Sequence, residues 1–308
     1  MSITFQTESQ IFYLNGKDIT YSFCVNEYGY LEHLYFGDTI GQDDLRAMRI
    51  LGATSYRTTP PGKDLTTSSS YGALNSYHHF PSELTFFGTG DFREPAVSVT
   101  HKNGDRLVEL LYESHEILSE KPKINGMPSM RGGETLVVHL RDGINGFGCD
   151  LYYTVYDDCS VIARRAVYKN DTKDTVMLDR AYSFSLSLPR NDYDVISLYG
   201  AWAKERHVDR TPMHRGVYSI DSKRTTSSAT LNPFIAIVDK TTTEDTGNAY
   251  GVNLVYSSSY ALKVEGTSEG RSLVTGGINE HDFRWKLEIG EQFEMILCPR
   301  SKACSLSR

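Results

Sequence analysis

The nearest approach to catalytic chemistry in this sequence is made by carboxylates. Asp91 and Glu94 bracket Arg93 in Phe87–Ala96 (FGTGDFREPA), and Asp192 and Asp194 flank Tyr193 in Arg190-Asn191-Asp192-Tyr193-Asp194. Cleaving a glycosidic bond needs an acid and a base or nucleophile at a set separation, so paired acids are the residues to weigh. An acid-Arg-acid cluster also describes a structural ion-pair knot at a loop, and that reading is preferred for Asp91 and Glu94. Asp192 and Asp194 read more simply as turn residues.

Other chemistries find less. There is no Gly-x-Ser-x-Gly elbow, and Gly88-Thr89-Gly90 lacks the third glycine and following helix of a phosphate cradle. His78 and His79 are adjacent, so in a strand they point to opposite faces, and His207 and His214 lie in an irregular stretch. No metal site, no cofactor motif and no catalytic residue is assigned. Trp202 is one of two tryptophans and follows Gly200-Ala201, small residues that permit a tight bend. Its ring would suit the apolar face of a sugar, or pack as a rim residue over the end of a sandwich; the pattern leaves both open. Trp285 fits a strand and reads as core.

The elements that must position these residues are strands. Runs rich in Tyr, Phe, Val, Ile and Thr recur at Thr20–Val25, Tyr30–Phe36, Ala96–His101, Arg106–Tyr112, Glu134–Leu140, Cys149–Val155, Ser160–Lys169 and Thr175–Leu188. They continue at Phe234–Val238, Ala249–Tyr256, Ala261–Glu265 and Phe283–Leu287, with turn signals such as Lys102-Asn103-Gly104-Asp105 between them. Strands without intervening helices predict an all-β fold, a large antiparallel two-sheet β-sandwich (supersandwich) with very little helix. Helical pattern is confined to Asp43–Leu51 and one turn at Ala201–Arg206. Thr54–Ser76, with Pro60-Pro61-Gly62, reads as a long irregular loop.

A chain of 308 residues with 39% hydrophobic and 11% aromatic residues can bury a large core. Its formal charge of −7 argues against a nucleic-acid partner. No stretch approaches the roughly 18 apolar residues of a membrane span, and the start shows no export signal. Five cysteines without C-x-x-C spacing add to an expectation of reduced thiols in the cytoplasm.

Several pieces resemble, in order, the N-terminal domain of family 36 glycoside hydrolases, the α-galactosidases. They are Leu34-Tyr35-Phe36-Gly37, Phe87–Ala96, Lys121–Met130 (KPKINGMPSM), Gly200–Arg206 (GAWAKER), Asn232–Ala236 (NPFIA), Ala249–Glu265 and Gly277–Phe293. The resemblance implies a large β sandwich over residues 1–294, an aberrant tail over 295–308, and a catalytic (β/α)8 barrel missing from this chain. It implies terminal α-linked galactose as the substrate class, with both catalytic aspartates elsewhere, so that a truncated, inactive fragment is expected. In tetrameric members of the family the sandwich helps close a neighbouring subunit's sugar pocket. Trp202 falls on the tryptophan of the family's G-A-W motif, and Tyr193 is a second substrate-binding candidate. An acidic contributor is also implied in Asp38–Arg57, with Asp43 and Asp44 both left open. Ser227-Ser228-Ala229-Thr230 departs from the family's S-S-H-Q.

A face without its barrel would be apolar, which predicts a homo-oligomer. Two other readings stand beside this one. A free-standing carbohydrate-binding module would bind galactosides without cleaving them. A mutarotase-like epimerase would need a His acid and a Glu base, with His78, His79 and His207 as the available histidines.

Overall fold

The computed structural model of the chain describes residues 2–26, 28–42, 45, 81–88, 90–124 and 132–295. The helix expected at Asp43–Leu51, the loop at Thr54–Ser76, His78 and His79, most of Lys121–Met130 and the end of the tail lie wholly or mainly outside them.

Among the described residues there are nineteen strands, all in antiparallel ladders. The first sheet is a meander of β1 (Ile3–Gln6), β2 (Ile11–Asn15), β3 (Ile19–Val25) and β4 (Leu31–Asp38). The second sheet joins β5 (Val97–Thr100), β10 (Val176–Leu188), β13 (Gly216–Ser222), β16 (Tyr260–Gly266), β17 (Ser272–Ile278) and β18 (Trp285–Leu287). A third runs β12 (Lys204–Pro212), β11 (Asp194–Ala201), β14 (Leu231–Val238), β15 (Ala249–Asn253). The fourth runs β19 (Gln292–Met295), β9 (Ile162–Asn170), β8 (Phe147–Val155), β7 (Glu134–Arg141), β6 (Leu111–Leu118).

The fold is all-β, as the strand pattern predicts, but the two continuous sheets expected are replaced by four small ones about a shared core. Within the second sheet the longest strand is itself bent. β10 pairs β5 and β18 through its first half and β17 through its second, with register shifts at Leu178/Arg180 and Tyr182/Phe184. Such bulges bend a strand and raise its twist, which lets β10 serve two sets of neighbours in one sheet.

One apolar core draws on every sheet. Phe12 and Phe23 meet Leu151 and Tyr153, and the same core includes Leu178, Phe184, Leu262, Ile235 and Val252. A buried polar centre ties three sheets together within it. The Glu83 carboxylate accepts from the Tyr21 hydroxyl at 2.7 Å and the Tyr153 hydroxyl at 2.8 Å, and lies 2.7 Å from His33 Nδ1. Arg164 Nη2 sits 3.0 Å from Glu83 Oε2, and its Nη1 donates to Tyr21 Oη and to the Ser185 carbonyl. Glu83 has no solvent exposure and Arg164 has 5%, so each charge is tolerated only because the other neutralises it.

Candidate functional site

The β11–β12 hairpin is where the fold presents an aromatic side chain to solvent. The ladder runs from Asp194↔Pro212 to Ala201↔Lys204, leaving Trp202 and Ala203 as a two-residue loop. The single helical turn expected over Ala201–Arg206 is therefore a hairpin tip. Gly200 explains why: a Cβ there would lie 2.2 Å from the Lys204 carbonyl oxygen, so only glycine allows the two arms to close. A register shift falls between Tyr199 and Ala201, and Gly200 N–H donates to the Thr230 carbonyl at 3.0 Å. Ala203 completes the reversal at φ 61°, a left-handed conformation that costs a non-glycine residue about 1 kcal/mol. Its N–H donates to Glu205 Oε1 at 2.9 Å.

The far arm stands in water. Every residue of β12 except Thr211 is exposed, and Trp202 at the tip is 95% exposed. Tyr199 meets His207 in a tilted contact at 5.7 Å between ring centres and is itself half exposed. The root of the hairpin is anchored. Arg210 Nε donates to Asp194 Oδ2 at 2.7 Å, and the same guanidinium reaches the carbonyls of Asp239, Lys240 and Thr242. A packed indole buries about 150–250 Å², worth about 4–6 kcal/mol at ordinary transfer values. A fixed hairpin that leaves all of this surface in water offers it to something outside the described residues.

Tyr193 is placed differently. It is 2% exposed, meets Tyr250 edge to face at 6.2 Å, and lies under the Arg190 guanidinium at 4.6 Å. Burial pushes its phenol pKa up, against the opposing hydrogen bond from Arg190. It sits at the root of the hairpin, nine residues from Trp202 and so roughly 25–30 Å away along an extended strand. The fold does not bring these two candidates together. Trp285, expected in the core, is half exposed beside Phe293 at 5.4 Å.

The paired acids are held in ion pairs. Arg93 donates Nε and Nη2 to the two oxygens of Asp91 at 2.8 and 2.7 Å, the knot its sequence spacing suggests. Glu94 and Glu280 share two cations: Arg180 reaches them at 2.8 and 3.1 Å, and Lys263 at 3.1 and 2.5 Å. Burial opposes ionisation of Glu280, but hydrogen bonds from Lys263 and Tyr182 and the charge of Arg180 outweigh it and bring its pKa down to about 2. A carboxylate so held is a poor proton donor near neutrality. The His33–Glu83 pair has the residue types of an epimerase, but lies at 7% and 0% exposure inside the polar centre. Sequence reasoning did not find that pair. Among the described residues no three His, Cys, Asp or Glu side chains group closely enough to hold a metal ion.

Fold and hairpin together define a large antiparallel β domain that presents an aromatic tip. The chain belongs to the glycosyl hydrolase family 36 N-terminal domain family, which it matches over residues 29–288. It is 35% identical over 300 residues to α-galactosidase AgaA of Geobacillus stearothermophilus, covering 96% of this chain and 40% of that protein. It is 34% identical over 297 residues to α-galactosidase Mel36A of Lactobacillus acidophilus, at 95% and 40%. Among solved structures, α-galactosidase AgaB of Geobacillus stearothermophilus superposes with a TM-score of 0.89 at 33% identity, covering 99% of this chain and 41% of that one. A variant of AgaA in complex with raffinose superposes at 0.86 and 33% identity, covering 96% and 41%. The chain thus spans about 40% of the length of the curated relatives it matches, at their N-terminal end.

Proposed function

We propose that this chain acts as the non-catalytic N-terminal domain of an α-galactosidase, carrying an aromatic wall to a sugar pocket whose acids are supplied by another domain or chain. The observation that carries this reading is Trp202, almost wholly exposed on an anchored hairpin, while Asp91, Glu94 and Glu280 are neutralised by arginine and lysine. The indole closes over the apolar face of a terminal α-galactosyl unit, in a neighbouring subunit of a homo-oligomer. The substrate class follows the relatives, variants of which have been solved with raffinose and with stachyose. Tyr193 serves the site by packing the hairpin's root. A cytoplasmic setting is proposed on the five cysteines without C-x-x-C spacing. Separately, no described helix is long and apolar enough to cross a membrane.

A hydrolysis assay with p-nitrophenyl α-galactoside tests the reading. The purified chain is expected to give no turnover. Activity that survives repurification, and is lost in Glu94→Gln or Glu280→Gln, would place the chemistry on this chain and overturn it.

A further inference from the structure

A second feature lies on the flank of the same hairpin, and Trp202 takes no part in it. A cleft of about 620 Å³ opens between the hairpin and the β14–β15 ladder, within the roughly 300–1,000 Å³ usual for small-molecule sites. Its polar wall is made by Arg206, Asn232, Asn253 and Ser257, and its apolar wall by Phe234 and Tyr256. None of its lining residues is a carboxylate, although the chain as a whole carries a charge of −7.

The walls are fixed by backbone. Phe234 and Asn253 are cross-strand partners, Leu254 N–H donates to the Pro233 carbonyl at 2.8 Å, and Ser227 N–H donates to the Ser257 carbonyl at 3.1 Å. Asn232 and Phe234 stand two apart on β14 and so share a face. On that face Asn232 Nδ2 is buried and has no hydrogen-bond partner. That nitrogen is sealed from water, so a ligand in the cleft meets Asn232 through the rest of its side chain.

We propose that this cleft is a non-catalytic saccharide site that takes one or two neutral sugar units. The Asn253 amide and the Arg206 guanidinium make hydrogen bonds to vicinal hydroxyls, with the Ser257 hydroxyl beside them. Phe234 and Tyr256 cover the C–H face of the sugar. Without a carboxylate pair in the lining, the cleft holds its ligand and leaves the glycosidic bond intact. This site stands apart from the role given to Trp202, and either assignment can fail alone.

Isothermal titration of the full chain with raffinose, with inorganic phosphate as the charge control, tests it. Saturable raffinose binding is expected, weakened about tenfold or more in Asn232→Ala and in Asn253→Ala, the equivalent of one lost hydrogen bond to the ligand. Trp285→Ala, on β18 of the second sheet and outside the lining, is expected to leave the affinity within about twofold. Should Asn232→Ala melt early, Asn253→Ala carries the test, since its side chain is not a buried orphan. Two results overturn the proposal: no saturable binding by the wild type, or affinity unchanged in the Asn253 variant. Phosphate that displaces raffinose would make the cleft an anion site and overturn it as well.

Discussion

The polar centre around Glu83 and the tip of the β11–β12 hairpin use similar side chains to opposite ends. At the centre, two tyrosines, a histidine, an arginine and a glutamate are sealed in the core with their polar atoms matched to one another. At the tip, Tyr199, Trp202, Arg206 and His207 stand in water. The first arrangement fixes how three sheets meet and is closed to solvent. The second adds little to the fold and has its surface free for one. Aromatic and charged residues therefore signal function in this chain only where the backbone holds them out of the core.

The largest effect expected from breaking this contrast is at Arg164. Arg164→Met leaves the Glu83 carboxylate buried without its cation and removes the stacking on Tyr153 at 4.7 Å. A loss of about 3–5 kcal/mol is expected, read as the shift in urea midpoint. A loss below about 1 kcal/mol would show that the centre is not what joins the sheets.

Acid probes the same charges together with Glu280. Burial raises the Glu83 pKa, but Arg164, His33 and Tyr21 together outweigh it, and the net shift is downward. Glu280 falls from 4.5 to about 2. A carboxylate depressed in the folded state gives stability that is complete above its unfolded pKa and is lost as pH falls through the folded one. The contribution of these two carboxylates is therefore expected to be complete above pH 4.5 and to be lost between pH 4.5 and about 2, followed by circular dichroism, while His115, whose pKa burial lowers, adds a loss that begins below pH 6.5. A midpoint that does not move across this window would contradict the assignment.

Gly200→Ala sharpens the comparison at intermediate scale. The added Cβ meets the Lys204 carbonyl at 2.2 Å, and the expected cost is about 1–3 kcal/mol, from strain at one local site. Amide exchange should quicken along β11 and β12 and stay unchanged in β8 and β9. Faster exchange throughout would mean that the hairpin is part of the cooperative core.

What could be read from the sequence follows the same division. β3, β8, β9 and β10 bury most of their residues, and their apolar, β-branched runs announce them. β12, KERHVDRTP, is exposed along its length and carries no such run, so its segment reads as loop or helix until Gly200 and the φ of Ala203 are known. The Asp91–Arg93 knot was legible because its members are two residues apart. Glu83 and Arg164 are 81 residues apart, and nothing local in either segment announces the other. Trp202 was found through the family's G-A-W motif; its composition context alone left a sugar platform and a rim residue equally open.

The most direct test is the emission of Trp202 itself. Trp285→Phe leaves Trp202 as the chain's sole tryptophan. Its fluorescence is expected to be that of a fully hydrated indole, freely quenched by acrylamide, and Trp202→Ala is expected to melt within about 0.5 kcal/mol of the parent. A blue-shifted, protected emission, or a marked loss of stability in Trp202→Ala, would show that the indole packs into the chain's own fold and is not held out for a partner.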